Sequence, residues 1–246
     1  MKTITRSFFL PVLAACIAFC SHAQVVKPDL QNLGELKVIN RSAEALNEDD
    51  KKAIRISEAA NEGFVILKGI EFSNGTIEFD VKGKNVVQQS FVGIAFHGQD
   101  EKTYDAVYFR PFNFVNPDTA RRRRAVQYVS MPDYPWEKLR ETFPGKYENK
   151  VNPVPNPDQW FHAKIIVNGK KVAVFVDNAA TPCLEVEKLT NTSKGGVALW
   201  VGNNSGGSFA NVSITHLSPA GANADKMKIP FVSSVAAEKF ISSERE

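Results

Sequence analysis

The stretch YDAVYFRPFNF, Tyr104 to Phe114, carries the side chains best suited to chemistry. In a strand, Val107 and Phe109 point one way while Ala106, Tyr108 and Arg110 point the other. A phenol and a guanidinium then share a face with a methyl group. The same division recurs nearby. Val92, Ile94 and Phe96 oppose Gly93, Ala95 and His97; Val126 and Tyr128 oppose Gln127; Val197, Leu199 and Val201 oppose Gly196, Ala198 and Trp200. One face is bulky and apolar. The other alternates small residues with His97, Tyr108, Arg110, Gln127 and Trp200. Small residues leave room, and planar rings with nearby hydrogen-bonding groups suit a sugar, whose C–H faces stack and whose hydroxyls bond. A solvated sheet face of ordinary polarity accounts for each of these residues singly.

Other groups offer less. The run Arg121 to Arg124 matches carboxylate or sulfate oxygens bidentately, although an ordinary solvated loop accounts for the same run. Asp105, Asp133 and Glu137 are the carboxylates near the proposed groove that could serve hydrolysis as a pair. Cys183 has no histidine partner in sequence and reads as an ordinary thiol. No Gly-x-Ser-x-Gly elbow or phosphate loop is present. His97, His162 and His216 lack metal-ligand spacing, so no cofactor is expected. Calcium stays open through the oxygen-rich GQDEKTYD and VGNNSGG.

The elements that must position these groups are strands. GFVILKGIEF, GTIEFDVKG, SFVGIAFHG, YDAVYFRPF, RAVQYVS, GGVALWVGN and SFANVSITHL alternate, and WFHAKIIVNGKKVAVFVDN reads as a hairpin around Asn168-Gly169. Met131 to Asp158 holds six prolines and the aromatics Tyr134, Trp136, Phe143 and Tyr147. It is expected to be an aromatic lid, with a short helix in WEKLRE and Trp136 capping one end of the groove. This pattern predicts an all-β, two-sheet jelly-roll sandwich. Its expected divisions are a signal peptide at 1–23, an N-terminal extension at 24–61, the sandwich at 62–217 and a tail at 218–246.

Lys2 and Arg6, an apolar run and Ser21-His22-Ala23 predict export with cleavage after Ala23. Leu13-Ala14-Ala15-Cys16 leaves a lipid anchor at Cys16 as the alternative. Without residues 1–23, 28 Lys+Arg oppose 27 Asp+Glu, a net charge of +1 (30 and 27 less Lys2 and Arg6). That balance argues against nucleic acid as a partner, and no stable membrane insertion is expected after cleavage. The lone remaining cysteine, Cys183, excludes an intrachain disulfide in that product.

The order of these strands, with Trp160, Asn168-Gly169, Gly195-Gly196 and Phe209 to Asn211, resembles the concanavalin A-like lectin/glucanase superfamily. The likeness is to its laminin-G-like and 3-keto-disaccharide hydrolase-like branches, over about Phe64 to Leu217. It implies carbohydrate as the partner. The superfamily's Glu-x-Asp-x-x-Glu strand is not reproduced: Glu78 and Asp80 are followed by Gly83 in the third place. The leading expectation is a glycan bound on the concave sheet by His97, Tyr108, Arg110, Gln127, Trp136 and Trp200. A glycoside hydrolase with other acids and an adhesion module without a pocket stay open, as does the oligomeric state.

Overall fold

A computed structural model describes residues 24–217. The expected signal peptide at 1–23, the alternative anchor at Cys16 and the tail at 218–246 lie outside the described residues. In chain order the strands are β1 (Gln24–Val26), β2 (Leu36–Ile39), β3 (Ala43–Glu48), β4 (Lys51–Ile56), β5 (Gly63–Phe72), β6 (Gly75–Lys82), β7 (Val92–Gly98) and β8 (Tyr104–Phe109). There follow β9 (Val126–Met131), β10 (Glu148–Asn149), β11 (Phe161–Asn168), β12 (Lys171–Val176), β13 (Leu184–Glu187), β14 (Gly195–Val201) and β15 (Gly207–His216). Two short helices, α1 (Thr119–Arg122) and α2 (Trp136–Thr142), flank β9 in sequence.

The strands form two antiparallel sheets. One runs β13-β12-β11-β6-β15-β4-β3, with β1 also on β15; the other runs β10-β9-β8-β7-β14-β5-β2. The architecture is the expected all-β jelly-roll sandwich. Among the described residues, no helix is long and apolar enough to cross a membrane. Ile77, Phe79 and Val81 of β6 and Ile165 and Val167 of β11 face Ile94, Val107, Phe109 and Leu199 across the interior, all fully buried. Phe109 and Phe161 join the sheets edge to face at 5.1 Å. Each such ring contributes roughly 1.5–3 kcal/mol by leaving water.

Two local expectations change. Residues 24–61 are not an extension, because β1 to β4 pair within both sheets. SAEALNEDDKK is the β3–β4 hairpin. Its turn, Asp49-Asp50, has φ of 50° and 62°, the mirror-image turn geometry that suits the twist of a hairpin. At the second hairpin, Asn168 pairs with Lys171, so Gly169 and Lys170 form the turn rather than Asn168-Gly169.

The expected lid is built into the second sheet. Pro135 precedes α2, and α2 packs against β9 with Leu139 buried. The chain then returns as β10, which pairs with β9 and supplies that sheet's terminal strand.

Candidate functional site

Strand register assembles the site. One row of side chains crosses the outer face of the seven-stranded sheet: Ile39, Phe64, Trp200, Gly93, Tyr108, Gln127 and Glu148, each paired with the next. A parallel row holds Lys37, Ile66, Ala198, Ala95, Ala106 and Val129. Gly93 is required where it stands. A Cβ there would lie 2.1 Å from the Val107 carbonyl oxygen. Its absence lets the Tyr108 and Trp200 rings meet above it at 4.8 Å.

Tyr108, Arg110, Gln127 and Trp200 therefore come together as expected. Arg110 follows the last residue of β8, and Pro111 opens a single 3-10 turn, so pairing stops where the proline stands. The Arg110 guanidinium donates to Tyr108 Oη (2.8 Å), Gln127 Oε1 (3.0 Å) and the Arg124 carbonyl (2.9 Å). It covers the Tyr108 ring at 4.8 Å. Tyr108 and Trp200 are only 3% and 4% exposed, so they are a packed floor rather than open stacking platforms. The open ring is Trp136 on α2, 40% exposed, with the Arg140 guanidinium 4.7 Å from its centre.

His97 does not join them. Strict alternation places it on the outer face, but β7 carries a bulge. Ala95 pairs with Ala198 and Gly98 with Gly196, leaving Phe96 and His97 opposite Val197 alone. His97 has a φ of 53° and turns inward, 1% exposed and stacked on Phe72. There it meets Lys188 and Asp105. His97 Nε2 donates to the Ser73 carbonyl (2.7 Å), and Nδ1 lies 2.6 Å from the Lys188 ammonium and 3.4 Å from an Asp105 oxygen. Asp105 accepts from Tyr128 and Ser130, both at 2.7 Å, and pairs with Lys188 at 3.1 Å. Burial opposes its ionisation, yet the contacts with His97, Tyr128, Lys188 and Ser130 prevail and hold its carboxyl below the ordinary value. Asp105 thus belongs to an interior ion cluster. Asp133 is exposed on the loop before α2.

Two clefts open on the outer face. One, ≈ 660 Å³, lies between Arg110, Phe91, Phe112 and Asn113 and the helix side chains Trp136, Glu137 and Arg140, with Arg121 and Arg124 at its mouth. The other, ≈ 550 Å³, lies over Phe64, Ile66, Ala95 and Ala198, rimmed by Lys37, Glu101 and Tyr104. Asp100 Oδ1, in the oxygen-rich loop of this rim, is taken by the Lys102 and Thr103 amides. Among the described residues, no group of three or more His, Cys, Asp or Glu side chains is placed to hold a metal ion.

Glu148, Arg140 and Glu62 were not legible as functional candidates in the sequence. Glu148 ends the row, 7% exposed, and Arg140 grips it through two bonds of 3.0 and 2.6 Å. The spacing of Trp136 and Arg140, four apart in WEKLRE, was the available sign of a shared helix face. Glu62 precedes β5 and accepts from Tyr104 Oη at 2.5 Å. Burial raises its pKa; Tyr104 and the Trp200 indole oppose that, while the charge of Glu137 adds to it. Glu62 and Glu137 are therefore electrostatic neighbours on this face. Cys183 is buried, its thiol pushed up to about 12 by desolvation, which leaves no thiolate for nucleophilic work.

The fold has relatives of known structure. The carbohydrate binding module CBM66 from Bacillus subtilis superposes with a TM-score of 0.52 at 14% identity, over 73% of this chain and 95% of the module. A Bacillus subtilis protein of unknown function with a galectin-like fold gives 0.52 at 10%, over 78% and 94%. The Ca2+-bound exoplasmic/lumenal domain of VIP36 gives 0.53 at 10%, over 79% and 91%. At these identities the likeness is one of fold, and it makes the sandwich concanavalin A-like. No curated protein matches the chain in sequence. Residues 36–215, from β2 into β15 and so including the whole row from Ile39 to Glu148, match the model of the 3-keto-alpha-glucoside-1,2-lyase-like domain, and the chain belongs to that family.

Proposed function

We propose that the protein binds a carbohydrate in the cleft between α2 and the outer face of the seven-stranded sheet. What carries this reading is the Arg110 guanidinium, held from behind by Tyr108 and Gln127, at a cleft walled by the exposed Trp136 ring. A partly open indole beside fixed polar groups matches a sugar's apolar C–H face and its hydroxyls. Family membership and a fold shared with a carbohydrate binding module fit the same reading. The protein acts outside the cytoplasm in this view, delivered by residues 1–23; the mass of the mature N-terminus separates cleavage after Ala23 from a lipidated Cys16.

The test is calorimetry against a broad glycan panel with wild type, Arg110→Ala and Trp136→Ala. Trp136→Ala should weaken binding by roughly tenfold, as expected for losing about 1–1.5 kcal/mol of ring contact. Binding untouched by both substitutions would move the ligand elsewhere.

One observation favours catalysis as a second reading. Glu62 is a carboxyl whose pKa is raised by burial, and Glu137 is a second carboxyl close enough to feel its charge. A pair of carboxyls is the usual means of acid–base cleavage at a glycosidic bond. Glu62 would hold the proton for the leaving oxygen. Release of free sugar from keto-glycosides, abolished by both Glu62→Gln and Glu137→Gln, supports it; release that survives both removes these residues from the chemistry.

A further inference from the structure

Charges around the α2 cleft do not balance at one residue. Arg140 is bound by Glu148, Arg124 lies 3.8 Å from the same carboxylate, and Arg121 is 3.9 Å from Asp118. Arg110 is different. It is only 5% exposed, and its three hydrogen bonds go to neutral oxygens on Tyr108, Gln127 and the Arg124 backbone. Among the described residues no carboxylate comes within ion-pair distance of it. A buried charge without a counter-charge is unfavourable by several kcal/mol, and an anionic ligand would supply the missing partner.

The three neutral bonds do not answer that charge; they aim it. They fix the guanidinium plane from two sides, while the Tyr108 ring lies beneath and Phe91 flanks it. A guanidinium has five N–H donors, so two remain for a ligand. Tyr108 and Gln127 take both Nη2 hydrogens, so the donors that remain, on Nε and Nη1, meet a carboxylate or a sulfate through charge and single hydrogen bonds. Arg121 and Arg124, about half exposed at the mouth, extend the positive lining outward. Beside them Asn113 leaves a buried acceptor, Oδ1, without a partner. An unpartnered acceptor so close to the cleft needs a donor, and a sugar hydroxyl supplies one.

We propose that the glycan taken by this cleft is acidic, bearing a uronate carboxylate or a sulfate ester that pairs with Arg110. This rests on the carbohydrate reading and narrows it to a class. The anion supplies the missing counter-charge, and the sugar ring lies against the α2 wall.

The experiment uses matched ligands with the full mature protein. Trigalacturonate is compared with its methyl ester, and a sulfated galactose oligomer with its desulfated form. Each pair shares its sugar backbone and differs at the charged group. In wild type at low salt, at least one charged member should bind about tenfold or more tightly than its neutral partner, with the preference shrinking as salt rises. The pair showing the preference tells uronate from sulfate. Arg110→Met should erase that preference, and Arg110→Lys should retain only part of it, because an ammonium keeps the charge without the planar donor set that Tyr108, Gln127 and the Arg124 carbonyl hold in place. If Arg110→Met fails to fold by near-ultraviolet circular dichroism, the double variant Arg121→Gln/Arg124→Gln replaces it, and should reduce the preference about threefold or more. Neutral members binding as well as charged ones in wild type would overturn the acidic class while leaving carbohydrate binding intact. A preference that survives every variant would overturn the assignment to these arginines. Failure of all four ligands and of a broad neutral panel would sink the carbohydrate reading itself.

Discussion

Asp80, on the outer face of the eight-stranded sheet, is tied to three elements. Its carboxylate meets His162 Nδ1 at 2.9 Å, the Lys51 ammonium at 2.8 Å and the Asn211 amide at 2.7 Å. Burial alone would raise its pKa, but His162, Lys51 and Asn211 overcome that and lower it to about 2 from an ordinary 3.8. The Asp80 contact in turn raises His162 above its ordinary 6.5, against a smaller opposing effect of burial. The signs are opposite in pH. Asp80 contributes its full stability above about pH 4 and loses it as pH falls towards 2. His162 contributes fully below about pH 6.5 and loses its share as pH rises through its elevated pKa. Stability should therefore be greatest between about pH 4 and 6.5 as far as this pair is concerned. Asp80→Asn should lower stability near pH 5 by about 1–2 kcal/mol, less than the full shift implies because solvent screens the pair, and should flatten the acid limb. Urea midpoints at pH 5 and pH 3 for both proteins measure this; an acid limb unchanged in the variant would exclude Asp80 as its source.

Among the elements, β7 shows what periodicity reads and what it misses. Alternation correctly sends Val92, Ile94 and Phe96 inward and leaves Gly93 and Ala95 outside, and it does as well for Tyr108, Gln127 and Trp200. It fails at His97, because the bulge is defined by the neighbouring strand: Val197 faces two residues, a fact held in β14 and not in β7. The β3–β4 hairpin was hidden for another reason. Its turn is Asp49-Asp50 rather than Asn-Gly, and its strands are too charged to alternate clearly. Glu62 and Glu148 were illegible because their roles depend on partners distant in sequence or on an edge strand only two residues long. Gly93 is the element's most constrained residue, since the two neighbouring strands close over it. Gly93→Ala should destabilise the protein by about 1–3 kcal/mol through overpacking and separate the Tyr108 and Trp200 rings. A denaturation curve and the near-ultraviolet circular dichroism of the aromatics report both effects; a neutral substitution would mean that β7 and β8 shift apart freely.

At the scale of the whole molecule, two sheets closing on one core leave Cys183 as a reporter of global integrity. It is 5% exposed, and its thiol is pushed up to about 12. Iodoacetamide should label it far more slowly in the native protein than in urea at the same pH, with a rate set by opening of the fold. Fast native labelling would show that the β12–β13 region opens locally. The second whole-molecule feature is the way the α2 wall is attached. Tyr128 donates its backbone N–H to Tyr147 (2.9 Å) and Ala125 to Asn149 (3.0 Å), so the chain leaving α2 is stitched to β9 as the last rung of the sheet. Before any ligand arrives, the Tyr128 amide should already be protected from hydrogen exchange; rapid exchange there would mean that the wall is loose. A wall fastened in this way would make a rigid host for the proposed ligand. Its ordering entropy is lost once, when the chain folds, and is not charged again to each guest. If the proposed carbohydrate binds there, selectivity falls on the shape of the guest, and a branched glycan too wide for the cleft beside α2 should be turned away instead of being accommodated.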